Sequence, residues 1–293
     1  MDNSQKDGIK FMLIASLLFA FMGAFAKILS ENLPSIEIVF FRNIFGVVLI
    51  SYAIYKTKPV QIGGKAWLLF FRGFMGFAAL MMFFYNIAHI SLAEAMTFSK
   101  ISPIFTAIFA FLLLKERMNL QAWIGVFIGF CGVLLITKFD GSNLDKTDWL
   151  GIFSGIGAAL AYTSIRELKN YYDTKTIALS FMIIGTVLPF ILMIIGEFYS
   201  SLTLDFMINK FVTPNINDWF FIVLLGVFST FAQLYMTKAY SFSKAGIIGT
   251  VSYSNIVFSI ILGLFLGDSF PDILVIGGIF LIIFSGILVA KES

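Results

Sequence analysis

Three basic residues stand inside long apolar runs. Arg42, Arg72 and Lys100 each lie about five or six residues, roughly 8–9 Å of helical rise, from the nearest run end. A charge so placed either stretches its aliphatic stem to the water interface or faces a polar interior. The only acids nearby are Glu37, Glu94 and Glu167, so a cavity built from these groups favours anionic or zwitterionic, carboxylate-bearing solutes. Lys27, Arg166 and Lys238 lie nearer to run ends, where reaching water is easier. His89 and Glu94 form a candidate proton-coupling pair, because imidazole titrates near neutral pH; the alternative is that this single histidine is structural.

Polar residues recur at helical spacing. Ser16, Ala20, Gly23 and Lys27 form one stripe, Arg72, Asn86 and His89 another, and Ser154, Tyr162 and Arg166 a third. Thr230, Gln233, Thr237 and Ser241 make the clearest, and Ser252, Asn255 and Ser259 repeat it. In hydrocarbon an unpaired polar group costs several kcal/mol, so such faces belong against a polar centre; alternatively, the hydroxyls bond only their own backbone. Arg72, Asn86, Tyr162, Gln233, Thr237, Ser252 and Asn255 are the substrate-binding candidates.

These residues must be positioned by membrane helices. The 293-residue chain is 59% hydrophobic and only 13% charged, with mean hydropathy +0.94, which excludes a soluble domain. One cysteine, Cys131, excludes an internal disulfide, and a net charge of +3 without a basic patch gives nucleic acid no foothold. Turn and charge punctuation yields ten spans: about Gly8–Leu29, Ile36–Tyr55, Trp67–Ile90, Ala95–Leu114, Leu120–Thr137, Trp149–Leu168, Thr176–Ile195, Trp219–Tyr240, Ala245–Leu266 and Ile273–Ala290. The first reads as a membrane helix rather than a cleaved signal. Spans 1, 3, 4, 6, 8 and 9 carry the polar faces, whereas spans 5 and 10 hold little but Cys131 and Ser285 and pack outside. Lysines and arginines crowd the connections on the side of the N-terminus, from Lys6 to Lys291, against only Lys138, Lys146 and Lys210 opposite, which predicts both termini in the cytoplasm.

The two halves echo each other. Aligned, Glu116 meets Asp268, Gly125 meets Gly277 and Lys27 meets Arg166. Five spans per unit, over 1–140 and 141–293, would insert the copies oppositely and place a site near the midplane between them, the arrangement of alternating access. Lys27 with Asp268 at one end, and Arg166 with Glu116 at the other, then become candidate latches; the alternative is that both acids merely end their helices.

Several segments resemble a known family: IEIVFFRNIFG (Ile36–Gly46), FFRGFMGF (Phe70–Phe77), the stretch Tyr85–Met118 and the stretch Gln233–Asp268. They are similar to the EamA branch of the drug/metabolite transporter superfamily. That resemblance implies an all-α integral membrane fold of ten transmembrane helices in two inverted five-helix repeats, a central cavity, and movement of small organic metabolites, frequently export, across a bacterial cytoplasmic (inner) membrane. FFRN with RGFMGF looks closest to a sub-branch that includes carriers of S-adenosylmethionine and of organic anions. Asn255 stands where the proline matched by Pro103 would recur, which puts equal bending of spans 4 and 9 in doubt and makes Asn255 a candidate ligand contact. No cofactor is expected. An integral membrane enzyme would need a metal cluster or a nucleophile with its base, which one histidine and one cysteine do not supply. A passive channel stays open as an alternative.

Overall fold

The computed structural model describes residues 3–59, 61–90, 95, 98–99, 101–116, 118–137, 145–199, 201, 204–265 and 272–290. Among them the regular structure is entirely helical: α1 (Asn3–Leu29), α2 (Ser35–Lys56), α3 (Ala66–His89), α4 (Ser102–Leu114), α5 (Leu120–Thr137), α6 (Lys146–Leu168), α7 (Thr174–Phe198), α8 (Ile216–Phe242), α9 (Ala245–Val251), α10 (Ser254–Phe265) and α11 (Ile273–Ala290). Among the described residues six segments are long and apolar enough to cross a membrane: Ser4–Leu29, Ser35–Lys56, Ala66–His89, Thr174–Phe198, Ile216–Phe242 and Ala245–Leu262.

Local chemistry sets the helix ends. Asp145 caps α6 by accepting from the backbone of Thr147 (2.8 Å) and Asp148 (3.2 Å), while Asp148 accepts from the amide of Asp145 (2.8 Å). The Thr147 hydroxyl also donates to Asp145 and is the largest cause, with the Asp148 and Thr147 amides, holding the Asp145 carboxyl below its ordinary range. Asp173 caps α7 through Lys175, and Pro103 occupies the first turn of α4, where its missing N–H costs nothing. Lys115 ends α4 in the left-handed region at φ 55°.

The expected single helix from Ala245 to Leu266 is divided. Between α9 and α10 the main chain tightens into turns, with Tyr253 N donating to Thr250 O and Asn255 N to Ser252 O. The Ser252 hydroxyl bonds Gly249 O at 2.6 Å, competing with the helical ladder. Ahead of α4 the chain also turns at Ile101, whose amide donates to Phe98 O at 3.1 Å. The missing proline at Asn255 therefore does not spare this segment a break: a serine hydroxyl accompanies it here, and Pro103 at the other site.

The helices pack in a restricted set of pairs. α1 lies on α8 and α10, α3 on α6 and α7, α2 on α7 and α8, α4 on α6 and α9, and α5 on α11. The α5–α11 pair packs chiefly on itself and, through Val133 and Ile282, against Tyr253 and Ile256 of the α9–α10 segment. It closes where Ser285 donates to Gly125 O (2.6 Å) and where a Cβ on Gly132 would come within 2.8 Å of Gly278 O. Large apolar residues such as Val48, Phe127, Phe190, Phe220 and Phe280 are exposed around the outside, as a lipid-facing surface requires. Of the buried apolar clusters among the described residues, the two largest hold Met22, Leu29, Ile36, Phe77 and Phe84 in one and Met12, Ala110, Leu168, Met236 and Tyr240 in the other.

Candidate functional site

A cavity of about 120 Å³ draws residues from both clusters and from eight helices. Its wall takes Met12, Ser16, Phe19 and Met22 from α1, Arg42 from α2, and Arg72, Gly76, Ala79, Leu80 and Phe83 from α3. Ser154, Ala158 and Tyr162 come from α6, Phe181 from α7, Gln233, Met236 and Tyr240 from α8, and Asn255 from α10; Ser99, Ser102 and Ser252 complete it near the two chain breaks. None of the lining residues belongs to α5 or α11.

Two guanidinium groups dominate its electrostatics. Arg42 and Arg72 are each only 1% exposed, and both lie against the ring of Phe181, at 5.4 and 4.8 Å from its centroid. Arg42 donates to Asn43 Oδ1 (3.0 Å) and to the sulfur of Met22 (3.3 Å). Arg72 leaves Nε and Nη2 buried without a hydrogen-bond partner among the described residues. No carboxylate among the described residues pairs with either arginine. Among the described residues both charges are therefore met only by neutral groups and a π face, a costly state.

The structure gathers most of the expected binding residues on this wall: Arg72, Tyr162, Gln233, Ser252 and Asn255. Asn255 Nδ2 donates to Ser16 O at 2.8 Å, and Tyr162 stacks on Tyr240 with centroids 5.1 Å apart. Asn86 and Thr237 are placed elsewhere. Asn86 is buried at the end of α3, where Nδ2 donates to Thr147 O (2.9 Å) at the start of α6. Thr237 returns its hydroxyl to Gln233 O (2.8 Å) and accepts from Gln233 Nε2 (3.3 Å), outside the lining set. Thr230, Ser241 and Ser259 likewise bond a carbonyl one turn back, as hydroxyls in membrane helices commonly do.

Among the charged candidates, Arg42 enters the wall itself, while Lys238 is exposed and rests over Phe11 at 5.4 Å. Lys27 Nζ donates to Ile87 O (2.7 Å) and Ile90 O (3.4 Å) and so caps α3. Arg166 and Glu116 do meet: Nε donates to Oε1 at 2.7 Å, and Nη1 to Ser241 O at 3.0 Å. Glu116 Oε2 accepts from the Ala245 amide at 3.0 Å, so one carboxylate ties the ends of α4, α6 and α8 to the start of α9. Lys169, which also reaches Ser241 O (2.9 Å), is held below the ordinary lysine range by burial and by Arg166 alongside. His89 is exposed, stacked on Tyr85 at 3.8 Å and donating to Tyr85 O. Glu94, Lys100 and Asp268 lie outside the described residues.

The model of the EamA-like transporter family matches residues 6–138 and again 145–290. The chain belongs to that family. It is 36% identical over 298 residues to an uncharacterized transporter of Helicobacter pylori, covering 100% of this chain and 97% of that one. It is 32% identical to the pseudopaline exporter CntI of Pseudomonas aeruginosa, with 98% and 97% covered. It is 23% identical to an S-adenosylmethionine uptake transporter of Rickettsia prowazekii, with 94% and 90% covered. A solved crystal structure superposes with a TM-score of 0.78 at 16% identity, covering 97% of this chain and 96% of the other, a likeness of fold. The protein is thus a multi-pass membrane transporter and not an enzyme.

Sequence spacing did not reveal Phe181, the ring both arginines share, because nothing distinguishes it among 36 phenylalanines. A weak signal lay in Gly76, one turn after Arg72. A Cβ there would approach Arg72 Nη1 to 2.6 Å and Phe181 Cδ2 to 2.8 Å, so glycine is what lets ring and guanidinium meet. The Gly76→Val transporter is expected to insert normally but to lose roughly tenfold or more in solute exchange, since misplacing a binding group by about 1 Å is enough. Initial rates in vesicles, normalised to protein content, measure it; unchanged rates would show that this contact is only packing.

Proposed function

We propose that the protein is a secondary transporter of small organic anions or zwitterions, working by alternating access as an exporter in a bacterial cytoplasmic membrane. The pair Arg42–Arg72, buried on the wall of an internal cavity without an acidic partner among the described residues, carries this reading. The fold is read as ten spans, with α9 and α10 forming one, in two oppositely inserted repeats over 1–140 and 141–293. The packing pairs support it. Exchanging α1 with α6, α2 with α7, α3 with α8, α4 with α9–α10 and α5 with α11 maps α1–α8 onto α3–α6, and α2–α8 onto α3–α7. The same exchange maps α1–α10 onto α4–α6 and leaves α2–α7 and α5–α11 unchanged, as a two-fold axis in the membrane plane requires. Interrupted helices meeting near the midplane suit such a site.

Both termini are read as cytoplasmic. Lys65 with Glu167 and Lys175 with Thr57 lie at the end from which α1 starts and which carries most lysines, while Asp145, Asp205 and Asp218 lie at the other. An uptake or exchange carrier of the S-adenosylmethionine type is the second reading, favoured by the relative so named. Two unneutralised guanidinium groups count against a solute of net positive charge. Proton coupling through His89 and Glu94 is the further element of the proposal.

Purified protein in proteoliposomes, loaded with unlabelled amino acids, carboxylates or nucleoside-type cations, decides among these. Saturable, trans-stimulated counterflow of an anion or zwitterion is the expected result, with a rate that changes when a pH gradient is imposed. Non-saturable flux without counterflow would replace the carrier by a channel, and counterflow of cations alone would establish the second reading.

A further inference from the structure

We propose that the cavity selects solutes bearing two anionic groups, with a carboxylate or similar oxyanion on Arg72 and the second on Arg42. This rests on the carrier reading above and narrows it. Nε and Nη2 of Arg72, two buried nitrogens without partners among the described residues, share one edge of the guanidinium plane and are spaced to grip both oxygens of one carboxylate. Arg42 is fixed differently. Its Nη1 is held by Asn43 Oδ1, and Asn43 is itself anchored by donating to Val39 O (2.8 Å) and Gly185 O (3.2 Å). That makes Asn43 a positioning residue, and Arg42 a preformed cation whose neighbours are a neutral amide, a thioether and a ring.

Charge balance then decides the ligand class. The described lining contains two cations and no carboxylate; Ser16, Tyr162, Gln233, Ser252 and Asn255 supply only neutral groups. A monoanion would leave one desolvated guanidinium unpaired. A zwitterion would additionally bring an ammonium to a wall whose described residues offer no counter-charge for it. Two oxyanions neutralise both arginines at once, and because both guanidinium groups lie against the same Phe181 ring, at 5.4 and 4.8 Å from its centroid, a short diacid can span them.

The test uses the full-length transporter in proteoliposomes and straight-chain dicarboxylates from malonate to adipate, each compared with its own monoamide and with neutral amino acids at the same pH. At least one diacid is expected to be exchanged about tenfold or more better than its monoamide. Arg42→Gln and Arg72→Gln should each erase or invert that preference, whereas Arg72→Lys keeps the preference with weaker apparent affinity. Size-exclusion profiles in detergent show that each variant is folded. Equal exchange of diacid and monoamide, or a preference unchanged in both glutamine variants, overturns the proposal. If only zwitterions or monoanions exchange, the proposal falls while the carrier reading stands. If no anion or zwitterion exchanges, both fall.

Discussion

Arg72→Met is expected to push transport and stability in opposite directions. Solute exchange should fall by roughly 100-fold, because losing a desolvated, charge-assisted bidentate contact costs about 2–4 kcal/mol. The ligand-free protein should meanwhile become more stable by about 1–4 kcal/mol, since methionine fills similar volume without burying a charge that lacks a counter-charge. The midpoint of thermal unfolding in detergent is accordingly expected to rise by a few degrees. The opposite sign would identify a structural arginine: if the midpoint drops while exchange survives, Arg72 holds α3 against α7 through Phe181 and does not meet solute. Arg72→Lys gives the comparison that separates charge from fork, because lysine keeps one and lacks the other.

The second large effect concerns the end of the molecule near the N-terminus. Arg166 and Glu116 are only 20% and 14% exposed, so their 2.7 Å contact is far less screened than a surface pair. Through Ser241 O and the Ala245 amide the same two side chains bind four segments together. If this closure biases the conformational equilibrium, Glu116→Gln should shift it by about tenfold to 100-fold, equivalent to roughly 1.5–3 kcal/mol. A cysteine placed at Ala158 on the cavity wall, in a Cys131→Ala background, reports the shift as faster labelling by an impermeant maleimide applied from that side. The exchanged pair Glu116→Arg with Arg166→Glu should recover part of the protection; recovery is incomplete because the carboxylate accepting from Ala245 is gone. Labelling that is the same in the single and exchanged variants would mean that Glu116 only ends α4. At the opposite end Lys27 already grips the carbonyls of Ile87 and Ile90, paralleling the Arg166 bond to Ser241 O.

Several of these partners were legible beforehand for definite reasons. The weak repeat placed Lys27 against Arg166 and Glu116 against Asp268, and the first pair indeed makes equivalent bonds to the carbonyl ends of α3 and α8. The stripes of α6 and α8 delivered Ser154, Tyr162 and Gln233 to the wall. They also carried Thr230, Thr237 and Ser241, whose hydroxyls bond their own helix. Periodicity gives the direction of a side chain, and a hydroxyl pointing inward still chooses between a solute and the carbonyl one turn back.

What the residues alone determined is the medium and the elements. Continuous apolar runs have one way to satisfy their backbone in hydrocarbon, the helix, and so their order and most of their ends followed from hydropathy, caps and prolines. Only the tertiary structure decided which charge faces which neighbour. Arg42, which from its position could as well have reached for the interface, lies in the cavity wall; Asn86 pins α6; Lys238 points outward; and Phe181 joins two arginines more than 100 positions away in sequence. Such contacts depend on the rotation of each helix about its axis and on the close approaches permitted at Gly76 and Gly132, which arise from pairs of distant surfaces and leave no periodic trace in either one.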